Sequence, residues 1–249
     1  MRNTPVTENW FATAFDALYP VLYAHRTVEA AGPEARFAAE RLGICPCDRV
    51  LDLACGSGRH IVHLLQHSSF VVGLDYSPDL LRIAREETLG KSLLVRGDMR
   101  RLPFTDQFDF LVNFFTSFGY FASEEDNAAV AQQMARALKQ GGGFLIDHAN
   151  LPNVRETLIP HSERQAEDLT IQEDRWLDEI SLRVNKLTRV VREDVLIAET
   201  RESVQLYAPE TLCALLSSAG LATDAIYGDY DGAAIDADQP RMILLGHKE

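Results

Sequence analysis

The sequence predicts an α/β protein built on a doubly wound, mostly parallel sheet. Three observations predict it. From about residue 48, short apolar runs alternate with stretches of helical periodicity, the rhythm of strand–helix–strand units. The first run ends in "DLACGSGRH" (52–60), where Gly56 and Gly58 open a strand-to-helix turn. Polar residues then stand at the ends of later runs, namely Asp75, Asp98, Asn113 and His148, on the edge where such sheets bind ligands.

The elements follow in order. "RVLDLA" reads as a buried strand, and Ile61, Leu64 and Leu65 then share one helical face. "FVVGLD" (70–75) is the second strand. Ser77-Pro78 supplies an N-cap and a first-turn proline for a helix carrying Leu80, Ile83 and Ala84. "SLLVRGD" (92–98) and "FDFLVNFF" (108–115) are the next strands. Ser123 and Asp126 resemble a capping box, and Val130, Met134, Ala137 and Leu138 follow at helix spacing. Gly141-Gly142-Gly143 is expected to end that helix, with "FLIDHA" (144–149) as the fifth strand. Leu212, Leu215, Leu216 and Ala219 form a last helix stopped by Gly220, and "ATDAIYGDY" and "RMILLGH" close a seven-stranded sheet as a pair.

Two stretches break the rhythm. Residues 8–30 carry Phe11, Phe15, Leu18 and Leu22 at helical spacing, with Tyr19 and Tyr23 four apart. They read either as a helix packed on the sheet edge or as a flap over a ligand. Residues 151–207 are polar and poor in glycine. There "SLRVNKLTRVV" and "VLIAETRESVQLY", joined near Glu193-Asp194, predict an antiparallel hairpin placed to roof the active site. The expected organisation is one domain over 1–249, with a flap (8–30), a ligand-binding core (48–150), a β insertion (151–207) and a C-terminal helix and strand pair (208–249).

Composition narrows the function. Over 249 residues, 46% are hydrophobic and 24% charged, enough to bury a core. The net charge of -13 disfavours a nucleic-acid partner, whose binders carry a basic face. Of Cys45, Cys47, Cys55 and Cys213 only the first two are close-spaced, and no second Cys/His pair completes a metal site, so reduced thiols and no metal are expected. "MRNTPVTENW" lacks a signal-peptide core, and no apolar run has membrane-spanning length. A cytoplasmic protein without a membrane partner is the expectation.

The glycine pair alone is weak evidence, because turns use glycine for their own sake. Asp75 closes the second strand 19 residues beyond Gly56, where an acid meets ribose hydroxyls. Asp98 closes the third, where a carboxylate can accept from an exocyclic adenine amine. A nicotinamide-dependent oxidoreductase is one alternative, but its fingerprint wants a third glycine and Ile61 stands there. Asp52 beside the loop repels a pyrophosphate and suits a cation. A non-catalytic binder of an adenosyl ligand is the other alternative.

"LDLACGSGRH", "VVGLDYSPDLL", "VRGDMRRLPF" and "FDFLVNFFTSFGYF" resemble, in order and spacing, the successive motifs of class I S-adenosyl-L-methionine (SAM)-dependent methyltransferases over about 48–150. "TSFGYF" and the insertion resemble small-molecule members such as the sugar-amine N-methyltransferases. The resemblance implies a Rossmann-like fold, SAM as cofactor and a small-molecule acceptor methylated on N or O. It implies that the loop from Asp52 through Ala54 and Gly56 to Gly58 cradles the methionine part, with Asp52 toward the ammonium. It implies that Asp75 holds the ribose hydroxyls with Tyr76 beside the adenine, and that Asp98 and Met99 meet the adenine edge. Asn113, Phe114 and Phe115 border the reacting methyl, and Tyr19 or Tyr23 closes the pocket. Asn113-Phe114-Phe115-Thr116 departs from the N/D-P-P-Y/F motif of base-amine methyltransferases, and Cys45-Pro46-Cys47 precedes the first strand, so it is not a cytosine-C5 nucleophile.

Methyl transfer is an in-line displacement governed by alignment and water exclusion. A protonated amine or a hydroxyl acceptor also needs a base. His148, after the fifth strand, is the expected base, ahead of Asp147, His25, Tyr120, Tyr207 and Asp229; Trp176 is expected to pack.

Overall fold

The computed structural model describes residues 10–15, 19–24 and 26–249; Leu18 and His25 lie outside the described residues. Two short helices, α1 (Phe11–Ala14) and α2 (Tyr19–Leu22), precede α3 (Gly32–Leu42), which stops where Gly43 turns left-handed at φ 71°. The alternating core follows: β1 (Arg49–Leu53), α4 (Arg59–Leu64), β2 (Phe70–Asp75), α5 (Pro78–Glu87), β3 (Leu93–Arg96), β4 (Phe108–Asn113), α6 (Glu124–Ala137) and β5 (Leu138–Ala149). The insertion comprises α7 (Leu151–Thr157), β6 (His161–Ala166), β7 (Leu169–Asp178), β8 (Arg183–Arg192) and β9 (Val195–Gln205). Helix α8 (Pro209–Ser218) and strands β10 (Leu221–Tyr227) and β11 (Arg241–Lys248) complete the chain.

The main sheet has seven strands in the order β10-β11-β5-β4-β1-β2-β3. Pairs within β5-β4-β1-β2-β3 are parallel, and β11 runs antiparallel to both of its neighbours. Both faces are buried, so the central strands are apolar on both sides. Leu51, Leu53, Leu111 and Phe144 face Met134 of α6 and Leu212 and Leu216 of α8. Val50, Val71, Val112 and Leu145 face Ala35 and Ala38 of α3 and Ile61 and Leu64 of α4. The helix starts follow the sequence. Ser77 Oγ accepts from Leu80 N at 3.2 Å, and Ser123 Oγ from Asp126 N at 3.1 Å.

Two expectations need correction. Helix α6 ends at Ala137, before the glycines, because Leu138 is already extended with ψ 142°. Gly141 to Gly143 instead lie within β5, where its register with β4 shifts. A Cβ on Gly142 would stand 3.0 Å from the Asp109 carbonyl, so glycine serves close strand approach there. The insertion is more than a hairpin. The expected pair exists as β8 and β9, joined by Glu193 and Asp194, both left-handed at φ 47° and 64°. Strands β6 and β7 extend it to a four-stranded antiparallel sheet, entered through α7.

Candidate active site

Strand β1 pairs with β2 on one side and β4 on the other, so the chain leaves β1 and β4 in opposite directions. That divergence opens a crevice at the carboxyl ends of the strands. A cleft occupies it in two compartments that share Tyr19, Ala54, Gly56, Ser117 and Tyr120.

The smaller compartment, about 90 Å³, has apolar walls from Phe11, Phe15, Leu80 and Met99, with Asp75, Tyr76 and Asp98 among them. Asp75 is buried and anchored at both oxygens. Oδ2 accepts from Gly56 N and Oδ1 from Ser77 N, each at 2.8 Å. Burial pushes its carboxyl up, and those backbone donors pull the other way. With Tyr76 N–H also acting on the carboxylate, acceptor capacity still remains for a ligand's hydroxyls. The Asp98 carboxylate is gripped by Arg100, whose Nη2 donates at 2.7 Å. Burial raises the Asp98 carboxyl, and the Arg100 hydrogen bonds outweigh it, holding it below the usual range. Arg100 also pairs with Asp126 at 2.8 Å and lies 4.3 Å from the centre of the Phe121 ring. Nothing in the motif reading singled out Arg100.

The larger compartment, about 480 Å³, is polar. Tyr19, Tyr23 and Arg26 of the N-terminal segment form one wall, and Arg59, His60 and Phe115 form another. Tyr23 Oη donates to Glu202 Oε1 of β9 at 2.8 Å and accepts from Lys186 of β8, so the insertion braces this wall. His60 stacks on Phe114 with ring centres 4.0 Å apart, and its Nε2 lies 2.5 Å from Glu34 Oε2. Burial lowers the His60 pKa to about 4 against the Glu34 contact, leaving the ring neutral at pH 7.

The loop after β4 is strained. Phe115 and Thr116 both adopt φ 61°, a left-handed conformation that side chains disfavour. Asp147 holds them there. Its Oδ2 accepts from Phe115 N at 2.7 Å and its carbonyl from Thr116 N at 2.9 Å. Arg241 donates to Asp147 Oδ1 at 2.5 Å and to Thr116 Oγ1 at 3.1 Å. Such strain persists where surrounding bonds over-determine it, and it is concentrated at functional loops.

Of the residues singled out in the sequence, Tyr23, Ala54, Gly56, Asp75, Tyr76, Asp98, Met99 and Phe114 line the cleft. Gly58, Asp52, Asn113 and His148 do not. Gly58 takes φ 76°, and a Cβ there would meet Ala84 Cβ at 2.9 Å, so it allows α4 to approach α5. Asn113 donates from Nδ2 to Leu53 O at 2.8 Å and ties β4 to β1. Asp52 is buried near the end of β1, two residues before Ala54, and its Oδ2 has no hydrogen-bond partner. Burial pushes its carboxyl up to about 8, with Arg59 pulling down. His148 is fully buried, with Nδ1 3.0 Å from Ala149 O and Nε2 3.2 Å from Gln205 O, and burial lowers its pKa to about 4. It packs β5 against β9. Among the weaker base candidates, Asp147 holds the strained loop, Tyr207 bonds Glu124 at 3.2 Å, and Asp229 caps its own turn at Tyr230 N. Among the described members of that set, only Tyr120 lines the cleft.

Residues 50–142 match the family model described as a methyltransferase domain. The demethylmenaquinone methyltransferase of Mycobacterium sp. (strain KMS) is 34% identical over 148 residues, 58% of this chain and 61% of that protein. The dTDP-3-amino-3,4,6-trideoxy-alpha-D-glucopyranose N,N-dimethyltransferase of Streptomyces venezuelae is 34% identical over 98 residues, 39% of this chain and 41% of that protein. The chain thus spans between two-fifths and three-fifths of these relatives. Among solved structures, the sugar N-methyltransferase KedS8 of Streptoalloteichus sp. superimposes with a TM-score of 0.71 at 24% identity, covering 99% of this chain and 97% of that one. The segment 50–142 therefore matches a methyltransferase domain, and the chain as a whole has the fold of these enzymes.

Among the described residues, no helix is long and apolar enough to cross a membrane.

Proposed function

We propose that this protein is a SAM-dependent methyltransferase acting on an amine or hydroxyl of a small, polar acceptor. The observation that carries the reading is the two-part cleft at the β1/β4 divergence. Its smaller part sets Asp75 and Asp98 in apolar walls suited to an adenosine, and Asp52, with an unpartnered buried oxygen, stands in the strand that leads into the adjoining turn. An orphaned carboxylate oxygen fits the ammonium of a methionine group, reached directly or through water. Arg59, whose charge acts on Asp52, suits the neighbouring carboxylate.

SAM supplies a methyl group already activated on a sulfonium. The chain's contribution is alignment and exclusion of water by Phe115, Tyr120 and the N-terminal wall. His60 takes the base role that the sequence assigned to His148. It faces the larger compartment neutral, and with Nε2–H given to Glu34 its Nδ1 is the basic nitrogen. The arginines and tyrosines of that compartment suit a polar acceptor such as an amino sugar better than an isoprenoid quinone. The domain match and the absence of a third loop glycine speak against nicotinamide chemistry. A cytoplasmic location belongs to the same reading, supported by four free thiols.

Calorimetry tests the cofactor. S-adenosylhomocysteine is expected to bind and NAD to give no heat, and the reverse pattern rejects the reading. Methyl transfer from radiolabelled SAM to a panel of amino sugars separates an enzyme from a mere binder. His60→Gln is expected to lower kcat by about 10²–10⁴. His148→Gln is expected to lower Tm and leave kcat of the folded protein unchanged. An unaffected kcat in His60→Gln removes His60 from the chemistry.

A further inference from the structure

Arg26 is built into the larger compartment in an unusual way. Its guanidinium lies 4.1 Å from the centre of the Tyr23 ring and 4.8 Å from that of Phe115. Its Nη1 donates to Tyr19 Oη at 2.8 Å. Three aromatic side chains therefore fix the plane of the group. No carboxylate among the described residues lies within ion-pair distance of it, and its Nε is buried with no hydrogen-bond partner. The other two guanidinia around the same Phe115 ring each have a carboxylate partner. Arg59 pairs with Glu34 at 3.4 Å, and Arg241 with Asp147 at 2.5 Å. The nearest acid to Tyr23, Glu202, is taken by Lys186 at 2.6 Å.

Two ring faces, the Tyr19 hydroxyl and the charge of Glu202 favour the charged guanidinium despite its burial, yet no carboxylate among the described residues is in contact with it and its Nε keeps an unused donor. A planar guanidinium held by ring stacking keeps its donor edge oriented, and that edge matches the oxygens of a carboxylate or phosphate. Arg26 also lines the compartment away from Asp75 and Asp98, so its neighbours are the methyl acceptor and the methionine end of the cofactor, not the adenosine. Arg59 is the partner proposed above for the methionine carboxylate, which leaves the acceptor to Arg26. We propose that Arg26 is the specificity-determining group for an oxyanion on the acceptor, a phosphate or carboxylate carried by the molecule that is methylated. The proposal rests on the methyltransferase reading for the identity of the second ligand.

The full-length protein is titrated with sodium pyrophosphate, in metal-free buffer, with and without saturating S-adenosylhomocysteine. Pyrophosphate is expected to bind in both cases, and Arg26→Gln is expected to weaken it at least about tenfold. The affinity of Arg26→Gln for S-adenosylhomocysteine is expected to stay within about threefold of the parent. Unchanged pyrophosphate binding in Arg26→Gln overturns the proposal. So does exclusion of pyrophosphate by S-adenosylhomocysteine together with a tenfold loss of the latter in the variant, which assigns Arg26 to the cofactor's carboxylate. If Arg26→Gln does not fold, Arg26→Lys keeps the charge without the fork and is expected to weaken pyrophosphate about threefold or more; no change there is equally fatal. Arg26-dependent pyrophosphate binding in a protein that fails to bind S-adenosylhomocysteine leaves the anion site standing and rejects the methyltransferase reading instead.

Discussion

An Asp75→Ala protein is expected to bind S-adenosylhomocysteine at least about tenfold more weakly and to unfold several degrees lower than the parent. The first effect follows from a carboxylate with lone pairs to spare at the adenosine compartment, where each hydrogen bond to a charged acceptor is worth about 1.5–3 kcal/mol. The second follows from its two backbone partners. Gly56 N and Ser77 N lose their acceptor together, one in the turn after β1 and the other at the start of α5. Two such losses sum to roughly 3–6 kcal/mol, and each kcal/mol lowers Tm by about 2–4 °C in a chain of this size. The sequence alone assigned Asp75 to the ligand; the structure adds its hold on two backbone N–H groups. Asp75→Asn separates the two effects. Its amide oxygen can still accept from one backbone donor, so it is expected to recover part of the Tm and little of the affinity. Calorimetry well below the lower Tm reads the ligand term on folded protein. An unchanged dissociation constant would show that Asp75 does not meet the ribose.

What was legible in the sequence divides along physical lines. The parallel sheet was readable because both of its faces are buried, so each strand is a near-continuous apolar run closed by a polar residue. Helix starts were readable at Ser77 and Ser123, since capping is a local interaction between a hydroxyl and an N–H three residues on. The end of α6 was misplaced because Gly142 and Gly143 act through contact with β4, a partner some thirty residues away in the chain. Strands β6 and β7 were missed because the sheet carries ion pairs where an alternating apolar face was sought. Glu173 pairs with Arg175, and Lys186 with Glu202. Cleft positions fixed by a loop motif, such as Gly56 and Asp75, were found. Arg26, His60 and Arg100 were not, because their roles come from side chains brought together across the fold. His148 shows the converse error. A histidine at the right strand end pointed to catalysis, yet β9 covers it and turns it into packing.

Asp52→Asn is expected to make the ligand-free protein more stable while removing most of its affinity for S-adenosylhomocysteine. The two effects share one cause. Burial raises the Asp52 carboxyl from 3.8 to about 8, so between those values the folded state binds a proton that the unfolded state releases. Stability from this group is complete below about 4 and falls as pH rises through about 8. At pH 7 the mismatch amounts to about 2–4 kcal/mol as an order of magnitude, which a neutral amide of the same shape avoids. His60 and His148 act with the opposite sign. Their folded pKa values of about 4 lie below 6.5, so stability rises as pH climbs from about 4 to 6.5. The ligand-free parent is therefore expected to be most stable near pH 6.5, and Asp52→Asn to lose the decline above it. Binding inverts this pattern. An ammonium beside the orphaned Oδ2 favours the carboxylate, so binding releases the Asp52 proton. The affinity for S-adenosylhomocysteine is expected to rise with pH by up to about tenfold per unit until near 8, as long as the ligand's own amine stays charged. Thermal unfolding from pH 5 to 9, with and without S-adenosylhomocysteine, measures both halves in parent and variant. A variant that keeps the parent's affinity and its pH slope would place the ammonium elsewhere and leave Asp52 as a buried carboxyl with no part in binding.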